Sequence, residues 1–120
     1  QRKSLGRRGE EAALTYLKKN RYKILTRNYQ TRLSEIDIIA LKKKVIHIIE
    51  VKTRMTLSKG YPREAVTRNK QRRIIQGAQL YLQQNQLHDT LVQFDVIEVF
   101  LETGAPQINM ISNAFEADII

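Results

Sequence analysis

The stretch that decides the fold reads Glu35-Ile36-Asp37-Ile38-Ile39-Ala40-Leu41, then Lys42-Lys43-Lys44, then Val45-Ile46-His47-Ile48-Ile49-Glu50-Val51-Lys52-Thr53. Both arms are dense in Ile and Val, whose branching at Cβ favours extended backbone. Neither arm alternates apolar with polar residues. Each is therefore expected to be covered on both faces, as central strands of a sheet packed between helices are. The three lysines form the turn. With Lys43 and Lys44 as its central pair, the register runs 42 with 45, 41 with 46, and on to 37 with 50.

Opposed residues on antiparallel strands share a face, with Cβ atoms about 5 Å apart. Asp37 and Glu50 then stand side by side, and Lys52, two residues on, joins them. A slip of one residue would put the acids on opposite faces, so the turn carries the argument. Ionised groups among such apolar neighbours are costly unless paired or bound to a cation. Two readings follow. Asp37, Glu50 and Lys52 form an internal ion pair, or the two carboxylates hold Mg²⁺ or Mn²⁺, with the Val51 carbonyl as a further oxygen donor. A cation there would polarise a phosphate and lower the pKa of a bound water. Lys52 would orient that water or stabilise developing charge. Glu35, at the strand entrance, is expected to face solvent. Glu10 reads as a solvated helical acid, and only its place beside Gly9 invites more.

Working outward, Ser4 is expected to cap a helix that runs to about Asn20, with Ala13, Tyr16 and Leu17 at helical spacing. Tyr22 to Asn28 reads as a short strand with Tyr22, Ile24 and Thr26 on one face. Arg54 to Arg63, carrying Gly60 and Pro62, reads as a basic loop. Glu64 to Gln84 is the longest helix, with Val66, Lys70, Ile74, Ala78 and Tyr81 along one stripe. Leu91 to Leu101 is a strand, and Thr103-Gly104-Ala105-Pro106 turns into a last strand over Gln107 to Ile111. The order is α, three β, α, β, β, within one domain spanning residues 1–120.

The 120 residues include 21 Lys and Arg against 12 Asp and Glu, a net charge of +9. All 21 basic residues lie between Arg2 and Arg73, where six acids leave a balance of +15; from Ile74 onward there are six acids and no base. Such sorting points to a polyanionic partner for the first part of the chain. Arg54, Lys59 and Arg63 on the loop, with Arg68, Lys70, Arg72 and Arg73 at the opening of the long helix, are the candidates for gripping backbone phosphates. Lys70 shares its stripe with Val66 and Ile74, so it also points towards the carboxylates.

Other classes fall away. With no Cys there is no disulfide, thiol nucleophile or Cys-ligated metal. His47 and His88 are too few for a His-rich site; His47 reads as a satisfied core histidine, and Asp95 as a pairing group outside the carboxylate site. No apolar run approaches the ~20 residues of a membrane span. No membrane partner is expected, and the default compartment is the cytoplasm.

The run Arg27-Asn28-Tyr29, then Ser34-Glu35-Ile36-Asp37-Ile38-Ile39-Ala40, then Ile49-Glu50-Val51-Lys52-Thr53-Arg54, resembles the motif set of the PD-(D/E)XK nuclease superfamily. More narrowly, the chain resembles a family of small bacterial proteins, predicted endonucleases distantly related to archaeal Holliday junction resolvases. The likeness extends through Gly6, Gly9 to Ala13, Ala65-Val66, Lys70 to Arg73, Phe94 to Ile97 and Ile111 to Phe115. It implies an α/β, restriction-endonuclease-like αβββαβ core, a mixed sheet flanked by helices. It further implies that Asp37 and Glu50 are metal ligands, that Lys52 is catalytic, and that Glu10 is an extra acid brought by the first helix. Ser34 stands where the family usually has Gly. The activity implied is metal-dependent hydrolysis of DNA phosphodiester bonds, with branched or Holliday-junction DNA as an open substrate class. The alternative is a non-catalytic nucleic-acid-binding protein on the same fold. Symmetric cutting of a four-way junction takes two active sites, and a homodimer is the simplest way to supply them.

Overall fold

Lys43 and Lys44 both adopt positive φ, 50° and 67°, the backbone of a two-residue hairpin turn whose twist matches that of its strands. The ladder behind it pairs Lys42 with Val45, Leu41 with Ile46, Ala40 with His47, Ile39 with Ile48 and Ile38 with Ile49. That is the register the turn predicts as far as Ile38 and Ile49; the expected pair of Asp37 with Glu50 lies beyond the end of the ladder. The computed structural model describes residues 5–55, 66–102 and 104–117. In chain order its elements are α1 (Leu5–Lys19), β1 (Lys23–Gln30), β2 (Glu35–Lys42), β3 (Val45–Arg54), α2 (Arg68–Gln84), β4 (Leu91–Phe100) and β5 (Gln107–Phe115). The strands form one sheet in the order β1-β2-β3-β4-β5. Among the described strands only β3 and β4 run parallel, because α2 carries the chain back across the sheet between them. This is a mixed sheet flanked by two helices, as expected.

Alternate residues of the central strands feed two cores. On one face Ala13, Leu14 and Leu17 of α1 bury Ile38, Ala40, Ile49, Ile97 and Val99. On the other, Ile74, Ile75, Ala78 and Tyr81 of α2 bury Ile36, Ile39, Ile46, Ile48, Phe94 and Val96. Both arms of the hairpin are therefore covered twice, which explains their unbroken hydrophobicity. Among the described residues, no helix is long and apolar enough to cross a membrane.

Two glycines set how closely the helices approach. A Cβ on Gly9 would stand 1.9 Å from Thr53 Oγ1, so α1 touches β3 there through backbone alone. A Cβ on Gly77 would stand 2.4 Å from Ser34 Oγ, bringing α2 onto the β1–β2 connection. Ser34 fits that connection well: Thr31 N–H donates to its carbonyl at 2.8 Å, and its own N–H donates to Thr31 Oγ1 at 3.1 Å.

The structure corrects four expectations. The long helix begins at Arg68, capped by Thr67, whose side chain accepts the Lys70 N–H. Val66 is buried ahead of the helix, so the apolar stripe outruns the helical backbone. Glu64 itself lies outside the described residues, as does the Ser4 cap. In β1 the register shifts between Ile24 and Thr26. Thr26 therefore pairs with Ile39, on the face opposite to Ile24, because a bulge reverses the alternation. The last strand runs on to Phe115, its ladder with β4 shifted between Phe94 and Val96. Arg54 ends β3 rather than opening a loop.

Candidate active site

The regular alternation of β2 breaks at Asp37. Ile36 packs in the core beneath α2 while Ile38 packs in the core beneath α1. The ladder with β3 ends at Ile38 and Ile49, and beyond it the Val51 N–H donates to Asp37 Oδ2 at 2.8 Å. The aspartate side chain thus takes the place of a backbone acceptor where β2 and β3 part. From this seam it senses groups from both layers. Glu50, which is only 7% exposed, stands on β3 in the row of Ile46 and Ile48, the row that faces α2.

Glu50 is the charged centre of the cluster. Lys70 Nζ, from the first turn of α2, donates to Glu50 Oε2 at 2.5 Å. Lys52 Nζ stands 3.8 Å from the same oxygen. Glu10 comes from α1 on the opposite side. Arg27 Nη2 lies 3.8 Å from its Oε1, and the Asn28 amide nitrogen, in the orientation that satisfies both groups, donates to Oε2 at 3.1 Å. The pairs Arg27–Ile38 and Tyr29–Ile36 bracket Asn28 and Asp37, and Asn28 has φ of 53°, a conformation Asn tolerates better than most residues. Gly9 is the reason Glu10 arrives here: its contact with Thr53 draws α1 against β3 one residue earlier.

The electrostatics follow from this crowding. Burial pushes the Asp37 carboxyl up, the Glu50 charge adds to it and Glu10 contributes less; the Val51 N–H and Lys70 oppose them, and the result is about 7. For Lys70, burial pulls the ammonium down, but its hydrogen bond to Glu50 and the charges of Glu50, Asp37 and Glu35 outweigh that and leave it raised. Two carboxylates are held close enough to repel, at a place where protein cations already gather. Hard oxygen donors of this kind suit Mg²⁺ or Mn²⁺, and Asp37, Glu50 and the Val51 carbonyl are the residues that would hold one. Among the described residues no group of three or more His, Cys, Asp or Glu side chains could hold a metal. An ion at this pair would complete its shell with water and substrate oxygens.

The other candidates divide. Glu35 is exposed. Arg68, Arg72 and Arg73 are exposed on α2, free of the apolar stripe. Arg54 is turned towards Glu98, its Nη2 at 3.9 Å from Oε2, and Glu98 also accepts from Asn109 Nδ2 at 2.9 Å. Lys59 and Arg63 lie outside the described residues. His47 is a satisfied core histidine, 7% exposed, with Nδ1 2.7 Å from Asp95 Oδ2. Asp95 also accepts from Gln93 Nε2 at 2.9 Å and from the Asn113 N–H at 3.0 Å, and takes no part in the carboxylate site. Sequence reasoning missed the roles of Arg27 and Asn28 around Glu10, and the direct contact of Lys70 with Glu50. The shared stripe of Lys70 with Val66 and Ile74 was the signal for the latter.

Residues 9–99 match the model of the uncharacterised protein family UPF0102. A UPF0102 protein of Desulforapulum autotrophicum is 44% identical over 118 residues, 98% of either chain. Another, from Geobacter metallireducens, is 47% identical over 114 residues, covering 95% of this chain and 93% of its own. A third, from Caldicellulosiruptor saccharolyticus, is 42% identical over 116 residues, covering 95% and 98%.

Proposed function

The chain belongs to the uncharacterised protein family UPF0102, and we propose that this member is a divalent-metal-dependent endonuclease that hydrolyses phosphodiester bonds in DNA. The observation that carries the reading is the convergence on Glu50 of Lys70 at 2.5 Å and Lys52 at 3.8 Å, beside an Asp37 carboxyl pushed up to about 7. Burying acids so close together gains a fold little by itself. It makes sense where a cation and a phosphate are to be held.

When bound, a divalent ion supplies Lewis-acid polarisation of the scissile phosphate and acidification of a bound water. The residues do the rest. Asp37 and Glu50 would hold the ion, and the Val51 N–H fixes the Asp37 carboxylate. Lys52, on the rigid strand, holds its ammonium where it stabilises charge developing on the phosphate. Arg68, Arg72 and Arg73 grip neighbouring phosphates and keep the backbone in line. Branched DNA is the substrate class we propose, cut by a homodimer, since paired cuts in a four-way junction take two sites.

The test is a substrate panel of linear, nicked and four-way-junction DNA, with RNA alongside, incubated with Mg²⁺ or Mn²⁺. Wild type should cut at least one DNA; Asp37→Ala and Glu50→Ala should not. Equal inertness of all three on every substrate would defeat the catalytic reading. A second reading, a nucleic-acid-binding protein that does not cut, is favoured by one observation: two lysines already neutralise Glu50. Salt-sensitive DNA binding with no Mn²⁺ site by calorimetry would select it.

A further inference from the structure

We infer that Lys70 is a built-in counter-ion, holding the cation position at Glu50 until a divalent ion displaces it and frees its ammonium for a DNA phosphate. The inference rests on the metal-dependent reading of the Asp37–Glu50 pair and assigns Lys70 a positioning role there. Three features of the cluster carry it. Among the described residues, Lys70 Nζ stands closer to Glu50 Oε2 than Lys52 Nζ does, at 2.5 Å against 3.8 Å. The two ends of that contact differ in exposure: the Lys70 side chain is 44% exposed and that of Glu50 8%. The acid is fixed in the sheet, while the lysine reaches it from the rim with a stem of four flexible carbons. The backbone of Lys70 is itself anchored, its N–H donating to Thr67 Oγ1 at 3.1 Å. Only the side chain has to swing.

The exchange is electrostatically downhill in one direction. A divalent ion held by Glu50 and Asp37 would bring twice the charge of the ammonium it replaces and would repel that ammonium outward. Lys52 lacks the same freedom, its side chain being 19% exposed. Once released, Lys70 stands on the same helix as the exposed Arg68, Arg72 and Arg73, so the place it moves into is the one assigned to phosphates. Metal and DNA then compete with one another less than either competes with the Lys70–Glu50 contact, and each strengthens the binding of the other.

Calorimetry with Mn²⁺ alone, and lysine side-chain NMR of the wild type during a Mg²⁺ titration, test this together. Lys70→Gln should bind Mn²⁺ about tenfold tighter than wild type, because no ammonium has to leave. Lys70→Arg, which keeps a cation, should stay close to wild type. In the wild type, the Lys70 ammonium signal should move to that of a free lysine as Mg²⁺ saturates the site, a readout that does not depend on any variant folding. Mn²⁺ bound equally or more weakly by Lys70→Gln, with the Lys70 signal unmoved by Mg²⁺, overturns the inference and leaves the metal site standing. Absence of Mn²⁺ and Mg²⁺ binding from every form overturns both.

Discussion

Asp37 and Val51 are joined by a bond of a kind that sheets usually make from backbone to backbone: the Val51 N–H donates to Asp37 Oδ2 at 2.8 Å where the β2–β3 ladder has ended. One carboxylate oxygen thus closes the sheet while the side chain faces the site. Asp37→Ala removes the acceptor and strands a part-buried N–H, at a cost of about 1–3 kcal/mol. Asp37→Asn keeps an acceptor. In thermal unfolding without metal, the alanine variant should melt well below the asparagine variant, and equal melting would show that the bond contributes nothing.

The same residue sets a pH dependence. In the fold the Asp37 carboxyl is raised to about 7, from its ordinary value of 3.8 in an open chain. Between those values the folded protein keeps a proton that the unfolded chain has released, so this group's contribution to stability falls as pH rises through the window. Asp37→Asn does not titrate there. In metal-free buffer its melting temperature should gain several degrees on wild type between about pH 5 and about pH 8. A difference that stays constant would contradict the raised carboxyl.

Gly9 and Gly6 lie on one helix and should respond oppositely to alanine. At Gly9 the new Cβ meets Thr53 Oγ1 at 1.9 Å, whereas at Gly6 it meets nothing within 4 Å. Gly9→Ala should cost about 1–3 kcal/mol by overpacking and should also lower cleavage, since it moves Glu10. Gly6→Ala should be neutral or stabilise by up to about 1 kcal/mol. Denaturant titration of the two variants reads both effects, and equal stability would mean that α1 does not touch β3 as described.

Much of this was legible in the sequence. The hairpin register was, because two lysines at the turn and an unbroken run of β-branched residues on either side leave few alternatives. So were the burial of Glu50 and the reading of His47 as a satisfied core histidine. What the sequence hid has physical causes. The bulge after Ile24 turns Thr26 to the other face without any change in composition. Val66 continues the apolar stripe past the first turn of α2, so the hydrophobic pattern starts before the Thr67 cap. Asn28 is polar, exposed and on a strand edge, and only the fold brings it to Glu10. The contact of Lys70 with Glu50 joins residues twenty positions apart, across a helix–sheet interface that periodicity can suggest but not measure.

The exposed arginines of α2 should act on binding rather than chemistry. Arg72→Ala and Arg73→Ala are each expected to weaken DNA binding and to reduce the slope of log affinity against log salt by about 1 if each holds a phosphate. Fluorescence anisotropy across a salt series measures this. Unchanged slopes would remove them from the DNA-binding surface.

The most direct measurement compares wild type with Glu50→Ala on four-way-junction and nicked DNA in Mn²⁺, following DNA binding and strand cleavage in the same samples. The account predicts that the variant binds DNA at least as well as wild type, having lost a negative charge, while its cleavage rate drops by about a thousandfold or more. A variant that cuts as fast as wild type would contradict the central claim, that the Asp37–Glu50 pair is the site of phosphodiester hydrolysis.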